Sequence, residues 1–341
     1  LKTFPLRFVE TIVLGLALIV GAALACGFFG EKIPFFDALA HFRAHFSAVL
    51  FLLALVLIAL RSIAAATLAA ALAAYGAVSV AGFVMPRPAG TETALSRANA
   101  PAGASRTLTL LQMNLRHNAA PEPAIATIAR LDPDVVTLEE MNRRWVEAFE
   151  PLREFYPYTA YCGVGEVVGG VAILSRFPFA SDDAICRAED GFVARRVDLG
   201  QGASLGVVAE HLVWPWPFPQ ARQVERLDTV LPGLATPLIV AGDFNATPWS
   251  ETVGRYAAAS RTTPVGGIGA TWLATVLPGE LRPLVGLPID NVLVSKDLRV
   301  ISATRQPATD SDHLPVLVRF ELSTGSAARS TPRVVDRGKD R

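Results

Sequence analysis

Three stretches without a charged residue, Thr11 to Gly30, Phe46 to Leu60 and Ser62 to Pro86, fill most of the first 86 positions. Crossing a hydrocarbon core of about 30 Å takes roughly 20 apolar residues in a helix. The first and third stretches meet that length. The second meets it only if it begins near His41, with the Arg43 side chain snorkelling to the headgroups. A cleaved signal sequence fits poorly, because the first stretch exceeds the roughly 7–15 apolar residues of such a segment and two more follow it. Three successive helices buried in a soluble core fit less well still. Residues 1–86 therefore read as a membrane region, an N-terminal bundle of about three transmembrane helices. The link at Arg61 has neither Gly nor Pro, which leaves the bounds of the second and third spans open. His41 and His45 stand four apart, a spacing that suits a metal, but an interfacial role is favoured.

Residues 87–105 read as a linker, rich in Pro, Gly, Ala, Ser and Thr without a periodic apolar face. Beyond it short β-type runs appear, each bounded by turn residues: Leu108–Asn114, Val135–Leu138, Gly170–Leu174, Leu205–His211, Leu238–Gly242, Asn291–Val294 and Pro315–Phe320. Helical stretches lie between them, for example Pro123–Leu131 and Gln220–Leu231. Strands interleaved with helices over 106–322 predict one α/β domain. The tail 323–341 has little to bury and is expected to be disordered.

Charge is distributed unevenly. Residues 101–322 hold 19 Lys/Arg against 25 Asp/Glu, a net of −6, although the whole chain is neutral. Duplex binding draws most of its non-specific affinity from neutralised phosphates, so this domain lacks the surface a DNA binder needs. With three spans the termini lie on opposite sides, and lysine and arginine around the spans lean slightly toward an N-terminus outside the cytoplasm, opposite to the orientation the resemblance below implies. Of three cysteines, Cys26 falls in the first apolar stretch. Cys162 and Cys186 could pair, but they have no metal-binding spacing and two unpaired structural thiols are the favoured reading.

Polar residues cluster at strand ends, where an α/β fold can bring side chains together. Asn114 ends LTLLQMN, Glu140 ends PDVVTLEE, His211 ends LGVVAEH, and Asp243 and Asn245 end LIVAGDFN. Asp290 precedes NVLV, and Asp312 and His313 open LPVLVRF. This set suits phosphoryl transfer to water. Magnesium takes carboxylate and amide oxygens and needs only one or two protein carboxylates beside the substrate phosphate. A carboxylate must activate the water, and Asn or His donors must stabilise charge on phosphate oxygens.

The segments LLQMN, TLEEM, GGVAILSRFP, AEHL, AGDFNATP, PIDNVLVS and SDHLPV occur in the order and spacing of the endonuclease/exonuclease/phosphatase superfamily, which residues 106–322 resemble. The resemblance implies two packed β-sheets flanked by helices, a four-layer α/β sandwich, and a divalent cation, Mg2+ or alternatively Mn2+. It implies Glu140 as the main metal carboxylate, with Asn114 and Asp312 near the metal. Asp243 would activate the nucleophilic water and Asn245 would hold it. His313, fixed by Asp290, and His211 would contact the phosphate, and Arg176 could reach it. Only one of Glu139 and Glu140 can face the site on an alternating strand, and the motif position is Glu140. Several nucleases of the superfamily carry an acidic residue two places after the first Asn, where this chain has Arg116. Sharing a face with Asn114, Arg116 could offer a cation to a phosphate or pyrophosphate. His117 would then face away. Trp214 and Trp216 could form a substrate rim or a bilayer anchor.

Three spans with such a domain are similar to bacterial membrane proteins of the superfamily, including actinomycete teicoplanin-resistance proteins. That resemblance implies a multi-pass plasma-membrane enzyme, with its catalytic domain outside the cytoplasm, hydrolysing a polyprenyl pyrophosphate, within the wider class of lipid-linked or envelope phosphates and pyrophosphates. A DNA or RNA nuclease is the alternative within the superfamily, and a non-catalytic membrane scaffold the alternative outside enzymology.

Overall fold

The computed structural model describes residues 4–85 and 105–323, except 183 and 276. The expected linker and tail thus lie outside the described residues, apart from their boundary positions. The apolar N-terminal stretches form α1 (Phe4–Cys26), a short α2 (Pro34–Ala40), α3 (Arg43–Ala59) and α4 (Ile63–Val84). α1 and α4 are long and apolar enough to cross a membrane. α3 alone rises only about 25 Å, and it reaches the length of a span only together with α2, from which it is bent by 66°. Arg43 does not snorkel. It is buried, its Nη2 donates to Gly27 O at 2.9 Å, and its guanidinium lies 4.0 Å from the centre of the Phe28 ring. The link between α3 and α4 needs no glycine, because Arg61 itself takes the left-handed conformation (φ 59°) that turns the chain.

The remaining chain builds two six-stranded sheets. It begins with β1 (Ser105–Asn114), β2 (Val135–Met141), β3 (Tyr158–Cys162) and β4 (Gly170–Ser175). It continues with β5 (Ile185–Arg187), β6 (Phe192–Gly200), β7 (Ala203–His211), β8 (Leu238–Asp243), β9 (Thr262–Pro264) and β10 (Asp290–Ser295). It closes with β11 (Leu298–Arg305) and β12 (Val316–Ser323), which return to the first sheet. The orders are β11-β12-β1-β2-β4-β3 and β5-β6-β7-β8-β10-β9. Side-chain alternation sorts each strand between two cores. Leu108 and Leu110, Val207 and Ala209, Ile239 and Ala241, and Val316 and Val318 meet between the sheets. Leu111, Met113, Val136 and Leu138 pack outward on the face carrying α5 (Pro121–Leu131) and α6 (Arg143–Ala148). Val208, Leu238 and Val240 pack outward against α7 (Gln220–Leu227) and α8 (Glu251–Ser260). Helices, sheet, sheet and helices make the four layers expected.

Cys162 and Cys186 are bonded, which overturns their reading as free thiols. They lie on β3 and β5, the edge strands of different sheets, so only the stacking of the two sheets brings them together. Closing a loop across a separation of 24 residues stabilises by about 3 kcal/mol on a chain-entropy basis. Cys186→Ser should therefore lower the unfolding free energy of the detergent-solubilised chain by about that much. An unchanged denaturant midpoint would show the bond to be dispensable.

The helix bundle is docked on the sandwich. Asp37 of α2 caps the start of α8, accepting from Glu251 N at 2.7 Å, Thr252 N at 3.0 Å and Thr252 Oγ1 at 2.7 Å. Trp249 Nε1 donates to Ala40 O at 2.7 Å, and Gly269 N donates to Phe83 O at 3.1 Å. His41 and His45 border a cavity of about 280 Å³ at this junction, with Trp249, Leu287 and Arg305.

Candidate active site

The face of each strand that forms the inter-sheet core turns polar at one end of the sandwich. On β1 the series Leu108, Leu110 continues as Gln112 and Asn114. On β7 it continues to His211 and on β8 to Asp243, while β10 begins the same face at Asp290. β1 runs parallel to β2, and β7 parallel to β8 with His211 opposite Asp243. β10 is antiparallel to β8, with Asp290 opposite Asp243. The fold thus gathers residues distant in sequence at one edge of a shared core.

Asp243 is the hub. It is 2% exposed, and its Oδ2 accepts from Asn114 Nδ2 at 2.9 Å. The same oxygen lies 3.8 Å from His211 Nε2 and 3.7 Å from His313 Nε2. Its Oδ1 accepts from the Asn245 backbone at 2.8 Å. Asn245 is held in a left-handed conformation (φ 45°), with its side-chain amide donating to Leu212 O. Burial pushes the Asp243 carboxyl up to about 7, against the opposing pull of His313. Burial alone would lower His313, but Asp290 and Asp243 outweigh it and raise the imidazole to about 10. The Asp290 contact is direct, His313 Nδ1 to Asp290 Oδ2 at 2.8 Å. Burial lowers His211, so the two histidines are shifted in opposite directions.

Glu140 sits where β2 departs from regularity. Its φ is 56°, and the register with β4 shifts between Glu139 and Met141. A Cβ at Gly170, opposite this bulge, would lie 2.1 Å from Met141 O, so only glycine admits the close approach. The bulge turns Glu140 toward Asn114 Nδ2 (3.3 Å) and His117, whose N and Nδ1 lie 2.9 and 3.1 Å from Glu140 Oε2. Burial would raise the Glu140 carboxyl, but the His117 N–H, His211 and Asn114 together hold it below its usual value. Strict alternation would have chosen Glu139, and Glu139 is indeed the residue that points between the sheets. It is fully buried, its carboxyl is raised by burial and by Asp290, and it shares the Gln112 amide with Asp290 at 2.7 and 2.8 Å.

Arg116, also left-handed (φ 55°), places its Nε 4.0 Å from Asp312 Oδ1 at the mouth of the cluster. That turn ends the alternation at Asn114, which is why His117 comes to Glu140 instead of facing away. Arg176 is not brought to the cluster. It follows β4 at the opposite end of β2 from Glu140, stacked on Tyr156, donating to Pro133 O and paired with Asp132. Gln112, Thr271 and Trp272 escaped the sequence reading, while His117 and Glu139 were set facing away from the site. Thr271 Oγ1 accepts from Asp290 N at 3.1 Å, and Trp272 bridges the backbones of Leu287 and His313. The loop carrying Thr271 and Trp272 has no periodic pattern to mark it. Trp214 stacks edge-on against Trp272, and Trp216 against Phe35 of α2.

Asp243, Asp290 and His313 bring one potential ligand atom each within 4.8 Å of one another. The distances suit a cation, but the Asp290–His313 hydrogen bond already engages two of these groups, and magnesium prefers oxygen. Glu140 offers a carboxylate held below its usual value beside Asn114, whose Nδ2 faces it at 3.3 Å.

A model of the Endonuclease/Exonuclease/phosphatase family matches residues 111–313, more than half of the chain. Among solved structures, an endonuclease/exonuclease/phosphatase from Beutenbergia cavernae DSM 12333 is similar at 21% identity and a TM-score of 0.49, over 64% of this chain and 72% of that one. The human Nocturnin catalytic domain with bound sulfate is similar at 20% identity and 0.50, over 64% and 95%. D. rerio TDP2 complexed with a single-strand DNA product is similar at 17% identity and 0.50, over 63% and 98%. No curated protein sequence matches the chain. The chain belongs to the endonuclease/exonuclease/phosphatase family, a family of phosphoester hydrolases.

Proposed function

We propose that this chain is a membrane-anchored, divalent-metal-dependent hydrolase of a lipid-borne phosphate or pyrophosphate. Residues 1–86 would form the anchor and 106–322 the catalytic domain. The observation that carries the hydrolytic reading is the buried Asp243, flanked by two histidines and two asparagines. Asp243 accepts the proton of the attacking water, and Asn245 holds that water against the phosphate. His313, its imidazole raised by Asp290, and His211 donate to phosphate oxygens, where charge accumulates as the bond to the leaving group breaks. Asp290 keeps His313 oriented and charged. Arg116 offers a cation at the mouth, suited to a second phosphate. Glu140, Asn114 and Asp312 would hold the cation, Mg2+ or Mn2+, which polarises the phosphoryl group and neutralises charge when bound.

Two observations support a lipid over a nucleic acid. The domain carries a net of −6 over residues 101–322, and apolar helices long enough to span a bilayer are docked on it. The disulfide supports a catalytic domain outside the cytoplasm, since such bonds persist in oxidising compartments. Metal dependence is the first test. Phosphate release from a polyprenyl pyrophosphate by the vesicle-embedded chain should stop with chelator and return with Mg2+. Glu140→Ala should lower it by about a hundredfold or more. Equal rates for Glu140→Ala and wild type would refute the metal assignment.

A further inference from the structure

Three loops leave the site-bearing ends of the second sheet: one after His211, one after Asn245 and one before Asp290. All three touch the helix bundle at the same level. Trp216 of the first stacks on Phe35 with ring centres 4.9 Å apart. Trp249 of the second bonds Ala40 O, and Gly269 of the third bonds Phe83 O. That level is the end of the bundle where α2 bends into α3 and α4 finishes. The catalytic end of the sandwich therefore faces the bundle's end rather than open solvent.

The first and third loops also display six large apolar side chains to the outside. Trp214, Trp216 and Phe218 are 55%, 51% and 58% exposed, and Leu281, Leu284 and Val285 are 47%, 71% and 38% exposed. The last two belong to α9 (Arg282–Val285). An apolar surface of this kind on a water-facing loop is costly unless something covers it. Aromatic side chains concentrate where a membrane protein passes from hydrocarbon to water. The bundle contributes Phe29 and Phe42 at the same level, each more than 40% exposed. The loops are thus continuous with the belt of the helices beside them.

We propose that loops 213–218 and 281–285 lie in the interfacial layer of the bilayer that the helices span, so that the catalytic cleft opens at headgroup level. The inference rests on the membrane reading above and commits to lipid as the occupant of this surface. Its connection to the site is direct. Trp214 packs edge-on against Trp272, whose backbone bridges that of His313. A phosphate carried by a membrane lipid then reaches His313 and Asp243 without its tail leaving the bilayer.

The test uses the full chain in phosphatidylcholine vesicles whose acyl chains carry bromine close to the headgroup, a contact quencher of tryptophan. Vesicle flotation reports anchoring separately from fluorescence. Wild-type emission should be quenched, and the quenched share should fall by more than half in Trp214→Phe/Trp216→Phe, a double variant that keeps the ring contacts. Leu284→Trp should gain quenchable emission. If the chain floats with the vesicles but neither variant differs from wild type in quenched share, the loops stand in water and the inference fails while the anchor survives. If the chain does not float, both fail.

Discussion

Asp243→Asn should lower kcat for phosphate release by about a thousandfold, the contribution of a positioned general base, with KM within a few-fold of wild type. The substitution preserves shape and leaves an oxygen for the Asn245 N–H, which now bonds Asp243 Oδ1 at 2.8 Å. What it removes is the carboxylate placed between His211, His313 and Asn114, the proposed acceptor of the water's proton. Since it also removes a buried carboxyl, the thermal midpoint should hold or rise. Loss of activity with an intact midpoint then reports chemistry rather than unfolding. A variant within tenfold of wild type would mean that another group activates the water.

The second large effect is at His313. His313→Ala should cost about 10²–10³ in kcat, as removal of a preorganised donor to a developing oxyanion does. Asp290→Asn separates position from charge. It leaves His313 in place but removes the carboxylate most responsible for raising the imidazole to about 10. A raised histidine keeps its proton until the pH passes its folded pKa. Without Asp290 that proton is lost at lower pH, so activity of the variant should fall away with rising pH well before that of the wild type. Parallel pH profiles would show that Asp290 orients the ring and does nothing for its charge.

Much of the site was legible because chemistry-bearing residues stood at the ends of apolar strand runs. Asn114, His211, Asp243 and Asp290 needed only the alternation of their strands to face one another, whereas His313 stands ahead of β12 and is held by its backbone bridge to Trp272. Alternation misled where the backbone turns left-handed. At Glu140 the bulge lets two adjacent carboxylates, Glu139 and Glu140, both serve the region of the site. At Arg116 the same conformation redirected His117. Strands lacking a clean apolar rhythm were missed. β6, FVARRVDLG, carries Arg195 and Arg196, whose guanidinium groups bond Ser181 O, Asp182 O and Ala235 O. β11 is an edge strand with a register shift between Val300 and Ser302. The Cys162–Cys186 bond depended on which edges of two sheets meet, and no local pattern encodes that.

A competition between substrate classes tests the account most directly. Full-length protein in vesicles, with Mg2+, should release phosphate from a polyprenyl pyrophosphate in the same bilayer and leave plasmid DNA and single-stranded RNA intact. Release should vanish in Asp243→Asn. Robust cutting of nucleic acid by the same preparation, with no action on the lipid phosphate, would contradict the account.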